Sequence, residues 1–405
     1  MPLQNSVKNF KLTRFGCYLC FIIQAIIINF PPILFLTFSS TYGVPLSKIT
    51  LLVIINFVMQ FIMDSLSALF SSKLNYRTMV VTANFFSALG LILLALLPSV
   101  LPDPYLGLVI ATLISAIGGG LIEVIGNPIM QSCPKEKKSF SMGFLHSFYC
   151  WGHLGVVLIS TLFLLVSGGN SWRIMSFIWA VVPAANTVIF LFAPINQPSP
   201  ELERSSSLSS LVKTRTFWFF IIFMILAGAC EQGIAQWASA FAETALAGAS
   251  LSHESAKLLG DLLGPCIFAL TMALSRMIYP RVCERFELRK IMILSSSLCA
   301  LCYAISALSQ NAYVALVGCG VCGFSIGIMW PGTLDLAAKT CTFVGTAFFA
   351  MLSLAGDIGC TTGPALVGFV ADAFGGDLKT GLLLGTAIPV LFAISLALFK
   401  PKKNK

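Results

Sequence analysis

The chain has 405 residues, of which 57% are hydrophobic and only 10% charged. Soluble domains carry roughly a quarter charged residues, so a water-soluble enzyme or binding domain is excluded. The formal charge of +9 does not mark a nucleic-acid binder, because the basic residues lie between long apolar runs and at the two chain ends.

A transmembrane helix needs about 20 apolar residues. By that measure twelve spans are expected, at 15–38, 49–71, 78–98, 104–130, 140–166, 172–194, 216–246, 257–281, 289–308, 312–338, 341–372 and 378–399. The first run, Phe15 to Phe38, is too long for the apolar core of a cleavable signal. With both termini in the cytoplasm, 20 of the 25 basic residues fall on the cytoplasmic side. Four (Lys48, Arg173, Lys257 and Lys379) fall outside, and Arg276 stays in the membrane. That excess sets the expected orientation in a plasma membrane, here a bacterial inner membrane.

The stretch 196–215 is the longest polar interruption, with Pro198, Pro200 and a serine cluster from Ser205 to Ser210. It reads as a solvated cytoplasmic linker between a six-helix bundle at 1–195 and a second at 216–405. The halves echo each other: Asn127-Pro128 on span 4 answers Trp330-Pro331 on span 10, and Gly143 and Gly155 answer Gly345 and Gly359. The expected fold is therefore all-α, with twelve transmembrane helices in two pseudo-symmetric bundles and a solute site at their interface.

Polar side chains inside the spans carry the functional reading. A charged group near the bilayer centre costs at least about 2.5–3.5 kcal/mol and normally faces a cavity or a partner. Asp64 lies in span 2. On span 4, Glu123 and Asn127 are four apart and share one face. A carboxyl whose hydration changes as a cavity opens to either side can load and release a proton. On span 5, His146, Tyr149 and His153 share a face, and a neutral imidazole both donates and accepts, which suits sugar hydroxyls or a proton relay. Trp151 points elsewhere, toward lipid or packing.

Span 7 bears a polar stripe of Gln232, Gln236, Ser239 and Glu243, with Trp237 beside it. Amides and an indole next to small residues are the materials of a sugar pocket. Glu231 lies off that stripe and is a second titrating candidate or a partner for Arg276. Asp357 on span 11 is the other acid within reach of Arg276. Trp330, the counterpart of Asn127, completes the candidate pocket. The thirteen cysteines include three C-x-x-C pairs, Cys17/Cys20, Cys299/Cys302 and Cys319/Cys322, all inside apolar runs. They read as packing residues and not as a metal or disulfide framework.

Twelve spans in two halves resemble the major facilitator superfamily. Within it, Gly120-Leu121-Ile122-Glu123-Val124-Ile125-Gly126-Asn127-Pro128 is similar to the G-x-x-E-x-x-x-N-P stretch of the fucose:proton symporter family. Phe144-Leu145-His146-Ser147-Phe148-Tyr149 resembles that family's N-L-H-x-F-x-G run, with Phe144 in place of Asn. The resemblance implies a sugar substrate, proton or sodium coupling, a span 4 carboxyl as coupling site and span 5 residues touching the sugar.

The expected function is cation-coupled symport, with the proton first, of a sugar or similar small polyol by a monomer embedded in the lipid bilayer. A drug or metabolite:proton antiporter of the same fold is the alternative. Glu123, Glu231, Asp357 and Asp64 are the coupling candidates. Asn127, His146, Tyr149, His153, Gln232, Gln236, Trp237, Ser239 and Trp330 are the substrate candidates. No cofactor, metal or nucleic acid is expected, and neither an H-E-x-x-H motif nor a sizeable soluble domain points to an enzyme.

Overall fold

The computed structural model describes residues 10–70, 75–133, 138–168, 171–196, 213–246, 253–341 and 346–399. The linker segment 197–212 lies outside these, as does the loop 134–137. Among the described residues, 12 helical stretches are long and apolar enough to cross a membrane. They are Lys11–Ile33, Leu46–Leu66, Tyr76–Val100, Pro104–Met130, Ser147–Ser167, Trp172–Phe192, Arg215–Leu246, Ser255–Cys283, Leu288–Leu308, Ala312–Thr340, Met351–Ala373 and Leu378–Leu398, spans 1 to 12 in order.

Local chemistry starts several of them. Asn75 Oδ1 accepts from the amides of Arg77 and Thr78 at the head of span 3. Asp103 accepts from Tyr105 N ahead of Pro104, and Asn311 and Asp377 do the same for spans 10 and 12. Each satisfies amides that a helix start leaves without partners. The outward surface is greasy: Phe192 and Leu294 are 77% and 71% exposed, which suits lipid and would be costly in water. Trp151 belongs to this surface at 43% exposure.

Spans 1 to 6 pack among themselves, chiefly 3 on 4, 3 on 6, 2 on 4 and 1 on 5, and spans 7 to 12 do likewise through 7 on 11, 8 on 10, 9 on 10 and 9 on 12. The halves meet along 2 on 11, 5 on 8 and 1 on 7. Pseudo-symmetry extends to side-chain chemistry. Arg77, at the head of span 3, donates to the carbonyls of Phe190, Leu191 and Ala193 at the tail of span 6. Arg289, at the head of span 9, donates to Leu396 and Ala397 at the tail of span 12. Both guanidinium groups satisfy the orphan carbonyls of a helix end.

Several spans are broken where the site lies. Span 7 runs as Arg215–Ala235 and Ala238–Leu246, interrupted at Gln236 and Trp237. Span 8 passes through a π-helical turn, Leu262–Cys266, containing Pro265. Span 10 breaks between Ile326 and Met329. Spans 7 and 11 touch backbone to backbone: a Cβ on Gly359 would strike Ile225 O, and one on Gly363 would strike Ala229 O. Glycine is required at these two positions, and the contact brings Glu231 and Asp357 to the same layer.

Candidate functional site

An even number of spans puts both ends of the described chain on one side of the bundle, called here the terminus side. The opposite, far side is closed by polar contacts between the halves. Ser47 N donates to Asp372 Oδ1 at 3.2 Å, joining spans 2 and 11. Thr161 of span 5 donates to Asp261 of span 8 at 2.8 Å, and Ser239 of span 7 donates to the other oxygen of the same carboxylate. Lys257 bonds Ile33 O at 3.1 Å and pairs with Glu243 at 3.3 Å and with Asp261 at 3.6 Å.

The expected span 7 stripe therefore serves closure in this conformation. Gln236 Nε2 donates to Ile28 O at 3.3 Å and to Gln232 Oε1 at 3.0 Å, and Ser239 and Glu243 engage span 8. Trp237 is fully buried, its Nε1 donating to Pro364 O at 3.0 Å and its ring set against Phe35. It is a wedge between span 11 and Phe35, which opens the short helix Phe35–Tyr42 after span 1, and it is buried in this conformation. Lys257, expected on the outer surface by charge counting, is drawn inward because Glu243 and Asp261 face it. Asp261 was missed; an acid four residues after a lysine at the start of an apolar run was the available signal.

Asp261→Ala removes the acceptor that joins three spans and leaves Lys257 with Glu243 as its one carboxylate partner among the described residues, beside Ile33 O. The expected result is faster amide hydrogen exchange over 238–261 and around Thr161, by about tenfold or more if one buried charge-assisted bond of roughly 1.5–3 kcal/mol is lost. Unchanged exchange in that region means the far-side contacts do not hold the closure.

Deeper in, a layer of ionisable groups crosses the molecule. Gln24 Nε2 of span 1 donates to Glu123 Oε2 of span 4 at 2.6 Å. Asp64 of span 2 and Asp357 of span 11 lie beside it: one oxygen from each of the three carboxyls falls within 4.8 Å of the others. Asp64 and Asp357 are 6% and 4% exposed. In the second half, Arg276 Nη2 meets Glu231 Oε2 at 3.2 Å, which settles which of its two candidate acids Arg276 takes in this conformation. Asn29 Nδ2 donates to Tyr149 Oη at 3.4 Å, and the His153 ring sits 6.5 Å from Tyr149 and 6.1 Å from Phe268 of span 8. Glu231 lies within electrostatic reach of both Glu123 and Tyr149. The benzo edge of Trp330 abuts Gly356, one residue from Asp357.

The layer thus joins Asp64, Glu123, Tyr149, His153, Glu231, Asp357 and Trp330 from both halves. Gln236, Trp237 and Ser239 take part in the far-side contacts, Gln236 also lining a cleft beside them, and Gln232 accepts from Gln236 within its own span. The side chains of Asn127 and His146 lie outside the described residues. Gln24 and Asn29 were missed, although an amide within an unbroken apolar run is itself the signal. This cleft between spans 1 to 4, walled mainly by apolar side chains such as Ile27, Phe35 and Leu94, also takes in Asn56, Thr112, Ser115 and, from span 7, Gln236, and lies to the far side of the ionisable layer. The cysteines pack as free thiols, mostly buried, with the sulfurs of Cys299 and Cys322 3.7 Å apart.

Two six-helix halves, closed against each other on one side and sharing a buried ionisable layer, define a polytopic membrane transporter and not an enzyme. The chain belongs to the Major Facilitator Superfamily, whose family model matches residues 15–354 and again 265–405. A solved structure of the nucleoside transporter NupG is similar at a TM-score of 0.76 with 16% identity, covering 97% of this chain and 100% of that one. The E. coli fucose:proton symporter FucP is similar at 0.64 with 16% identity, covering 96% and 99%. A bacterial homologue of the human lysosomal transporter Spinster is similar at 0.73 with 13% identity, covering 95% and 96%. At these identities the likeness is one of fold. No curated protein matches the chain in sequence.

Proposed function

We propose that the chain is a proton-coupled symporter of a sugar or a similar small polyhydroxylated solute, working by alternating access of its two halves. The observation that carries this reading is the layer of Glu123–Gln24, Asp64, Asp357, Glu231–Arg276, Tyr149–Asn29 and His153, drawn from both halves. Carboxyls supply the coupling site, while the phenol, amides, imidazole and the Trp330 ring supply donors, acceptors and an aromatic face for a hydroxylated solute. The fold neighbours include a fucose:proton symporter and a nucleoside transporter, and a nucleoside also carries a polyhydroxylated ring. The terminus side is the cytoplasmic side of a plasma membrane by the distribution of basic residues, and the monomer is the working unit.

A thermal-shift series on the purified protein tests the substrate class. A ligand at a hundredfold excess over its Kd stabilises by about 2.7 kcal/mol. Monosaccharides or nucleosides are expected to raise the melting temperature by several degrees. A rise with lipophilic cations alone overturns the reading in favour of an antiporter.

A further inference from the structure

The carboxyl cluster is divided between the halves. Asp64 and Glu123 belong to the first half and Asp357 to the second, and spans 2 and 11 carry the interface they share. By register the cluster lies toward the terminus side, since Asp64 and Glu123 both fall in the terminus-side half of their helices, Leu46–Phe70 and Pro104–Ser132. Asp64 Oδ1 and Asp357 Oδ2 are buried and make no hydrogen bond, in side chains more than nine-tenths buried. Buried acceptors without a donor, in carboxyls this near one another, favour a proton shared between them. Among the described residues none of the three acids forms an ion pair. The charged and titratable groups facing the cluster are Glu231, with Arg276 bound to it, and Cys360, one turn on from Asp357. Gln24, from span 1, offers an amide and no charge.

We propose that Asp64, Glu123 and Asp357 form one proton-binding latch split across the two halves, closed when protons bridge the carboxyls and forced open on the terminus side when those protons leave. The inference rests on the proton-coupled reading above but goes beyond it: the coupling proton acts directly across the interface, and Asp357 is the second half's contribution. With protons bound, an acid O–H of one half donates to a carboxylate of the other, and the halves hold together at this level. With them released, like charges face each other across the seam with no cation between, and separating the halves is the one motion that moves Asp357 away from both partners. Release of protons and release of solute then occur on the same side.

The test needs neither solute nor gradient, so symport and latch can fail separately. In nanodiscs, the full chain carries spin labels at Leu12→Cys and Phe286→Cys, exposed positions on the terminus side of opposite halves, with Cys283 and Cys341 replaced by serine. The open-to-closed ratio in the distance distribution is expected to rise with pH by up to tenfold per pH unit for each proton released. Asp357→Asn is expected to flatten that slope by about one proton and favour the closed form, Asp64→Asn to do the same, and Asp357→Glu to restore it. A distance that ignores pH overturns the proposal. So does a slope unmoved in both asparagine variants, or a shift driven by sodium at constant pH. Should Asp357→Asn not fold, the Asp64→Asn and Asp357→Glu pair decides.

Discussion

Glu123→Gln is expected to abolish accumulation while leaving exchange of solute across the membrane intact. Moving one charge through a potential of 100 mV is worth about 2.3 kcal/mol. At roughly 1.4 kcal/mol per tenfold, one coupled proton supports an accumulation of about fifty-fold. A glutamine is nearly the same shape as a protonated glutamate and keeps a hydrogen bond with Gln24, now 2.6 Å from the Glu123 carboxylate, so the fold is preserved. What it cannot do is release a proton, so the carrier cycles with solute alone. In proteoliposomes with an imposed proton gradient, wild-type protein should concentrate solute up to that limit, and the variant should equilibrate it to a ratio of one. Counterflow of labelled against unlabelled solute should persist in the variant. Undiminished concentrative uptake by Glu123→Gln removes this residue from the coupling role.

Much of this architecture can be read from hydropathy, because lipid forces every backbone polar group into a helix and leaves few alternatives to a run of apolar residues. The expected 78–98 and 172–194 are found as Tyr76–Val100 and Trp172–Phe192, and the helices of the other spans end within about five residues of the expected bounds. The breaks inside spans 7, 8 and 10 were not legible: Gln236, Pro265 and Gly327 mark them, but helices in membranes also carry such residues without breaking. Side-chain partners were the least readable level. Periodicity places Gln236 and Ser239 on one face without saying whether that face meets a cavity or another helix, and it meets both: Gln236 lines the cleft and bonds span 1, while Ser239 bonds span 8. Charge counting treats Lys257 as a loop residue, whereas Glu243 and Asp261 hold it. The acids Glu123, Asp64 and Asp357 were recognisable one at a time; that they meet in one cluster depends on how spans 2, 4 and 11 cross, which no single-span pattern encodes.

Glu231 and Arg276 separate a stabilising role from a solute-binding one, because their double variant should regain stability that the single variants lose while transport stays impaired. The pair is 3.2 Å apart, with side chains 9% and 15% exposed, so removing one partner strands a buried charge at a cost of roughly 3–5 kcal/mol. The cost is unequal. A stranded carboxyl can take up a proton, whereas a guanidinium remains charged at any accessible pH. Glu231→Gln should therefore lower the melting temperature more than Arg276→Gln does. The double variant, with no stranded charge, should recover most of the loss. Both residues belong to the second half, on spans 7 and 8, so the pair is not broken merely by the halves separating. Arg276 Nε is buried without a hydrogen bond, which leaves a donor free at the level of Tyr149 and His153. A charged hydrogen bond to a solute hydroxyl is worth about 1.5–3 kcal/mol, so the stable double variant should transport ten- to about a hundredfold more slowly at low solute concentration. If instead it transports at the wild-type rate, the pair is a brace within its own bundle, and the solute is held by Tyr149, His153 and Trp330 without it.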